Sequence, residues 1–194
     1  MCRPGYGAGM TEGILLRPVL EPDLDRLDEM HADPESIGVF NWGGFTDGTR
    51  WRKRFAENRL LADESSVLMI DLGGENIGFV SWVKMQTGQT SHVFEFGISL
   101  WPEFRGKGHG TTVQRLLSRY LFAHHQVNRI QARTEFGNVA EQRALEKAGF
   151  TREAVLREYY FRDGAWRDEV LYRMLRSELP VDDQADGEPA EDRG

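Results

Sequence analysis

The chain has 194 residues, 40% of them hydrophobic, which is enough to bury one core and short for two full domains. A formal net charge of -7 argues against a nucleic-acid partner, although much of it is local, since Asp182, Asp183, Asp186, Glu188, Glu191 and Asp192 face Arg193 alone near the C-terminus. The one cysteine, Cys2, argues against disulfide frameworks and cysteine-rich metal sites; the absence of a long apolar run argues against a membrane partner and leads to the expectation of a cytoplasmic protein without metal.

Residues 1–12 are Gly-rich and expected to be flexible, with a single folded domain over 13–178 and a disordered acidic tail over 179–194. "ILLRPV" predicts a first strand, and Leu24, Leu27 and Met30 fall at helical spacing over 21–32. The stretch 33–45 mixes Pro, Gly and aromatic residues and predicts a loop, after which Thr46 or Asp47 caps a second helix running to about Leu61. Three β-rich runs follow, "SVLMIDL", "IGFVSWVKM" and "SHVFEFGISL", predicting neighbouring antiparallel strands. Val113, Leu116, Leu117, Tyr120, Leu121 and His124 then make one face of a helix over about 108–125. "RIQART" predicts a strand, residues 139–148 a helix closed by Gly149, and 154–160 and 165–174 two last strands joined at Asp163-Gly164.

Chemistry concentrates in Arg105-Gly106-Lys107-Gly108-His109-Gly110, which lies between a strand and a helix N-terminus. Glycines there let a ligand approach the backbone, helix N–H groups favour an anion, and Arg105, Lys107 and His109 add positive charge, so a pyrophosphate fits better than a lone carboxylate. The spacing is not that of a P-loop, because Lys107 precedes the last two glycines. It also departs from the dinucleotide fingerprint, since the glycines run Gly-x-Gly-x-Gly after a strand that belongs to a meander.

"FEFGISLWPEFRGKGHGTTVQRLL" resembles the acetyl-CoA-binding motif of the GNAT superfamily, with Arg105, Gly108 and Gly110 matching its Arg/Gln-x-x-Gly-x-Gly/Ala core. "NVAEQRALEKAGF" and "REYYFRDGAWRDEVLYRML" are similar to the C-terminal half of GNAT enzymes of the RimJ/RimL type. The resemblance implies a mixed α/β fold with a central, mostly antiparallel seven-stranded sheet, splayed between its fourth and fifth strands and flanked by about four helices. It implies an N-acetyltransferase that moves an acetyl group from acetyl-CoA directly to a primary amine, on a protein N-terminus or a small amine, in a monomer or homodimer. A non-catalytic acyl-CoA-binding module is the second reading. Ile98, Ser99 and Leu100 are then expected to meet pantetheine, and Arg105, Gly106, Lys107, Gly108, His109, Gly110 and Thr111 the pyrophosphate, with Asn138 near the cofactor and the chemistry.

On the amine side the same resemblance makes Glu95 the general base, directly or through water. The tyrosine that protonates the thiolate in related enzymes is matched by Leu145, and the serine three residues after the asparagine is replaced by Glu141. Glu141 is therefore expected either to bind the acceptor amine or to lie on an exposed helix turn. Trp42 and Trp82 are candidate acceptor-pocket aromatics, with Phe40 and Trp51 behind them, and one of Tyr159 and Tyr160 is expected to face the cleft by strand alternation.

Overall fold

Seven runs of β-forming residues pair into one sheet in the computed structural model, which describes residues 13–180. In chain order the elements are β1 (Ile14–Pro18), α1 (Asp23–Ala32), α2 (Pro34–Ile37), α3 (Arg50–Asn58), β2 (Ser65–Leu72), β3 (Glu75–Gln86), β4 (His92–Leu100), α4 (His109–His124), β5 (Arg129–Glu135), α5 (Val139–Ala148), β6 (Thr151–Arg162) and β7 (Ala165–Leu175). The sheet order is β1-β2-β3-β4-β5-β7-β6, and every neighbouring pair is antiparallel except β4 with β5. The fold is the mixed α/β architecture expected, with seven strands and a parallel seam between β4 and β5. The expected flexible N-terminus and most of the acidic tail lie outside the described residues, but Leu179 packs against the core.

Strand alternation decides what each face carries. On β2, Leu68 and Ile70 face α4 and α5 while Val67 and Met69 face α1 and α3, so the sheet is sandwiched between two helical layers. The larger core joins Val80, Phe94, Phe96, Ile130, Ala132, Val170 and Tyr172 to Val113, Leu117 and Leu121 of α4 and Leu145 of α5. The second core joins Met69 and Phe79 to Leu24, Leu27, Trp51, Phe55 and Trp101. Over β4, β5 and β7 that second face is polar instead, and it presents Glu95, Gln131, Arg133 and Glu169.

Among the described residues the α-helices number five, one more than expected, because Asp33 turns the aromatic stretch into a short turn of helix. Its carboxylate accepts from the N–H groups of Glu35 and Ser36, at 3.1 and 3.0 Å, ahead of Pro34 at the first turn. α3 begins later than expected, at Arg50, since Asp47 holds the N–H and hydroxyl of Thr49 in a turn before the helix. Gly78 marks a close approach between β3 and β4, where a Cβ would stand 2.2 Å from the Ser99 carbonyl oxygen.

Candidate active site

Strands β4 and β5 pair only at Phe94 with Ile130 and Glu95 with Gln131. Beyond Glu95 they part, while β4 stays paired to β3 as far as Leu100, so the β5-facing edge of residues 96–100 is left open. An open strand edge offers backbone N–H and C=O groups to an extended ligand that carries amides. Ile98, Ser99 and Leu100, the expected pantetheine contacts, lie on this edge.

The fork leads to the N-terminus of α4, whose cap is Gly108 in the left-handed region at φ 87°, with no side chain occupying the first N–H groups. That conformation suits glycine, and it exposes the helix end to an anion. Lys107 reaches over Phe104, with Nζ 5.3 Å from the ring centre. His109 keeps a buried Nδ1 with no hydrogen-bond partner. Gly110 and Thr111 continue the first turn of α4, with the Thr111 N–H bonded to the Gly108 carbonyl at 3.1 Å. Arg105 behaves differently from the rest of the loop: its Nε donates to the Leu100 carbonyl at 2.9 Å and its Nη2 to the Ser36 carbonyl. Its guanidinium thus ties the end of β4 to α2, so the loop's side-chain charge available to an anion comes from Lys107.

On the polar face, Glu95 is held by β5. Its oxygens accept from Gln131 Nε2 at 2.9 Å, Arg133 Nε at 2.9 Å and Arg133 Nη2 at 2.6 Å. Arg133 also donates through Nη1 to Glu169 of β7 at 2.8 Å, so two carboxylates share one guanidinium. Burial raises the pKa of Glu169, opposed by Arg133, and hydrogen bonding to Glu95 raises that of Arg133. The ring of Tyr159 lies under Arg133, with the guanidinium carbon 4.7 Å from its centre.

Tyr159 reaches that position because β6 is bulged. Between Leu156 and Tyr160 the register with β7 shifts, Glu158 takes φ 48°, and Asp168 accepts from the Glu158 N–H at 2.9 Å and from Arg157. The bulge overrides simple alternation, so Tyr159 meets Arg133 while the Tyr160 hydroxyl sits 3.0 Å from where a Cβ on Gly43 would stand. Arg162, nearly buried, donates to Glu135 at 3.0 and 2.6 Å and lies 6.0 Å from the ring centre of Phe40. The loop after α2 is thereby seated against the β6–β7 hairpin, and the two border the Glu95 face of the sheet, which we call the cleft.

The expected aromatics divide. Trp42 is partly exposed in that loop, edge-on to Phe45 at 5.1 Å between ring centres. Trp82 does not reach the cleft. It is 3% exposed in the larger core, packed against Tyr120 and His125, because its place on β3 is on the α4 side of the sheet. Trp51 is likewise buried, beneath Phe79.

Asn138 caps α5: its Oδ1 accepts from the Glu141 N–H at 3.4 Å and its Nδ2 donates to Thr134 Oγ1 at 3.0 Å. Glu141 is not on an exposed turn. Its side chain points toward α4, where Oε1 accepts from Gln114 Nε2 at 2.7 Å, and burial pushes its pKa up to about 7, partly opposed by that hydrogen bond. Leu145 is fully buried, so no hydroxyl stands at its position. The sequence reading missed Arg133, Glu169 and Gln114. For Arg133 a signal existed, because "RIQART" alternates polar Arg129, Gln131 and Arg133 with buried Ile130 and Ala132, which marks a polar sheet face. For Gln114 none existed, since it sits between apolar positions of an amphipathic helix.

A domain profile described as an acetyltransferase (GNAT) domain matches residues 14–151. The chain belongs to the GNAT acetyltransferase family. Among named relatives it is 33% identical to the probable N-acetyltransferase YjcK of Bacillus subtilis (strain 168), over 69% of this chain and 74% of that protein. It is 29% identical to the ribosomal protein uS5-alanine N-acetyltransferase of Escherichia coli (strain K12), over 83% and 87%. Its fold matches the spermidine N-acetyltransferase of Vibrio cholerae, solved with CoA and spermine, with a TM-score of 0.76 at 19% identity, over 87% of this chain and 99% of that one. The relatives are enzymes, and so is this chain: an acyl-CoA N-acyltransferase.

Proposed function

We propose that the protein moves an acetyl group from acetyl-CoA directly to a primary amine, with a protein N-terminus as the acceptor class. The observation that carries the reading is the fork between β4 and β5, whose open edge ends at an uncapped, glycine-rich helix N-terminus. Pantetheine lies along Ile98, Ser99 and Leu100, and the pyrophosphate takes the N–H groups of residues 106–111 with Lys107 beside them. Acetyl-CoA supplies the activated acyl group. The protein supplies placement, holding the thioester at the end of the fork and the amine in the cleft above Glu95. Because both oxygens of Glu95 are occupied by donors from β5, it takes the amine's proton through a water rather than by direct contact. Trp42 and Phe40 wall the acceptor side.

An extended acceptor is supported by the likeness to the uS5-alanine enzyme and by the exposed aromatic rings of Phe45, beside Trp42, and Tyr159, over Arg133. A small polycationic amine is the second reading, supported by the acidic excess of Glu95 and Glu169 around the single Arg133. The deciding experiment is coenzyme A release from acetyl-CoA across N-terminal peptides, amino-acid amides, polyamines, amino sugars and aminoglycosides. Turnover on peptides well above the other groups supports the first reading, turnover on polyamines alone replaces it with the second, and acetyl-CoA binding without turnover on any amine overturns both.

A further inference from the structure

Acyl transfer leaves a thiolate that needs a proton, and neither a tyrosine nor a serine stands at the two positions where the family resemblance places one. We propose that Glu141 is the proton donor to the departing coenzyme A thiolate. The assignment rests on the transferase reading above and names a residue for its sulfur side.

Position is the first argument. Glu95 and the cleft occupy one face of the sheet, whereas α4 and α5, with Glu141 between them, occupy the other. An amine that attacks from the Glu95 face adds to the thioester carbonyl to give a tetrahedral intermediate that then expels sulfur, and a proton donor on the other face serves that sulfur without competing with the amine for the Glu95 side. Glu141 sits there, one helical turn after Asn138 and across from the second turn of α4, whose N-terminus receives the pyrophosphate.

The surroundings of the carboxyl are the second argument. The carboxyl accepts from Gln114 of α4, while Asn138 Oδ1 accepts from the backbone N–H of Glu141 and Asn138 Nδ2 donates to Thr134 of β5, and all these partners are uncharged. No charged group contributes to its shift, and burial holds its pKa up to about 7, where a carboxylic acid is still protonated in a useful fraction at neutral pH. Gln114 itself is completely buried, and its amide oxygen has no hydrogen-bond partner. A buried acceptor without a donor costs stability unless a ligand satisfies it, so an unmet acceptor beside Glu141 points to a ligand N–H at this spot. The pantetheine amides are such donors.

The step balances. The amine nitrogen bonds to the acetyl carbon, the carbon–sulfur bond breaks with its electron pair going to sulfur, and sulfur takes the proton of the Glu141 carboxyl. The proton lost by the amine leaves by way of Glu95 to solvent, and Glu141 is reprotonated from solvent after coenzyme A departs.

The test measures kcat and KM of the full chain between pH 6 and 9.5, with the best amine of the acceptor panel, for the wild type, Glu141→Gln and Gln114→Leu. Glutamine keeps the shape and neutral charge of the protonated acid and accepts the same bond from Gln114, and a melting curve confirms that each variant folds. The expected result for Glu141→Gln is a fall in kcat of about 100-fold with the KM for acetyl-CoA within about twofold, and loss of the descending limb near neutral pH. Gln114→Leu removes the bond that lowers the Glu141 pKa, so its descending limb moves to higher pH. An unchanged kcat in Glu141→Gln, or a rise in the amine KM alone, overturns the donor role, the latter making Glu141 an acceptor-binding residue. A wild type that binds acetyl-CoA but turns over no amine overturns the transferase reading, and this assignment with it.

Discussion

At the scale of single residues, two carboxylates with opposite environments define the site. Glu141 is partly buried beside a neutral amide, and desolvation puts its folded-state pKa above its unfolded value of 4.5. A group with a raised folded pKa favours the folded state while protonated, and that contribution is lost as pH rises from about 4.5 through about 7. Glu141→Gln carries no such loss. The variant is expected to melt close to wild type at pH 5 and to be more stable than wild type at pH 8, by on the order of 2 kcal/mol. Melting curves at the two pH values check this, and equal differences at both would refute the buried-carboxyl account. Glu95 and Glu169, by contrast, depend on Arg133. Arg133→Met leaves two partly buried carboxylates facing each other, and should cost about 2–4 kcal/mol at pH 8 and clearly less at pH 5, where protonation relieves the repulsion. A denaturant series at both pH values measures it.

At the scale of elements, the acceptor wall depends on a bulge that strand alternation does not announce. Asp168 holds the extra residues of β6 through the Glu158 N–H and Arg157, and this puts Tyr159 on Arg133. Asp168→Ala is expected to raise the amine KM about fivefold or more while the acetyl-CoA KM stays within twofold, because the bulge touches only the acceptor side; equal rises in both would show a general loss of folding instead. The loop gives the complementary case. Gly108→Ala forces a Cβ into a left-handed cap at φ 87°, and is expected to destabilise by about 1 kcal/mol and to weaken acetyl-CoA rather than amine binding, as equilibrium titration with each would report. These two elements also show what was legible beforehand. The seven strands, four of the helices and the glycine loop follow from hydrophobic period and turn residues, which are local signals. The short helix after Asp33 had a local signal too, an Asp cap ahead of Pro34, whereas the bulge at Glu158, the inward turn of Arg105, the burial of Trp82 and the contact of Glu141 with Gln114 depend on partners in other elements. No local pattern encodes them. Trp82 illustrates the limit, since an aromatic residue on a strand reads the same whether its face meets a cleft or α4.

At the scale of the whole molecule, the sheet is two blocks, β1 to β4 and β5 to β7, whose strands meet at two residue pairs between β4 and β5. Packing of α4 and α5 over the larger core supplies most of the remaining connection. A ligand in the fork therefore does more than fill space, because it supplies the backbone partners that β4 and β5 deny each other. Binding to the folded state alone stabilises it by about 2.7 kcal/mol at 100 times the dissociation constant, which for a chain of this length raises the melting temperature by about 5–10 °C. ADP, which carries the pyrophosphate but no pantetheine, reaches the glycine loop and leaves the fork open. Hydrogen exchange separates the two effects. Acetyl-CoA is expected to slow exchange at the amides of residues 96–100 and at residues 106–111, while ADP slows only the second group. If acetyl-CoA protects the loop and leaves residues 96–100 exchanging as in the free protein, the fork is not the pantetheine site. The parting of β4 from β5 would then need another reason.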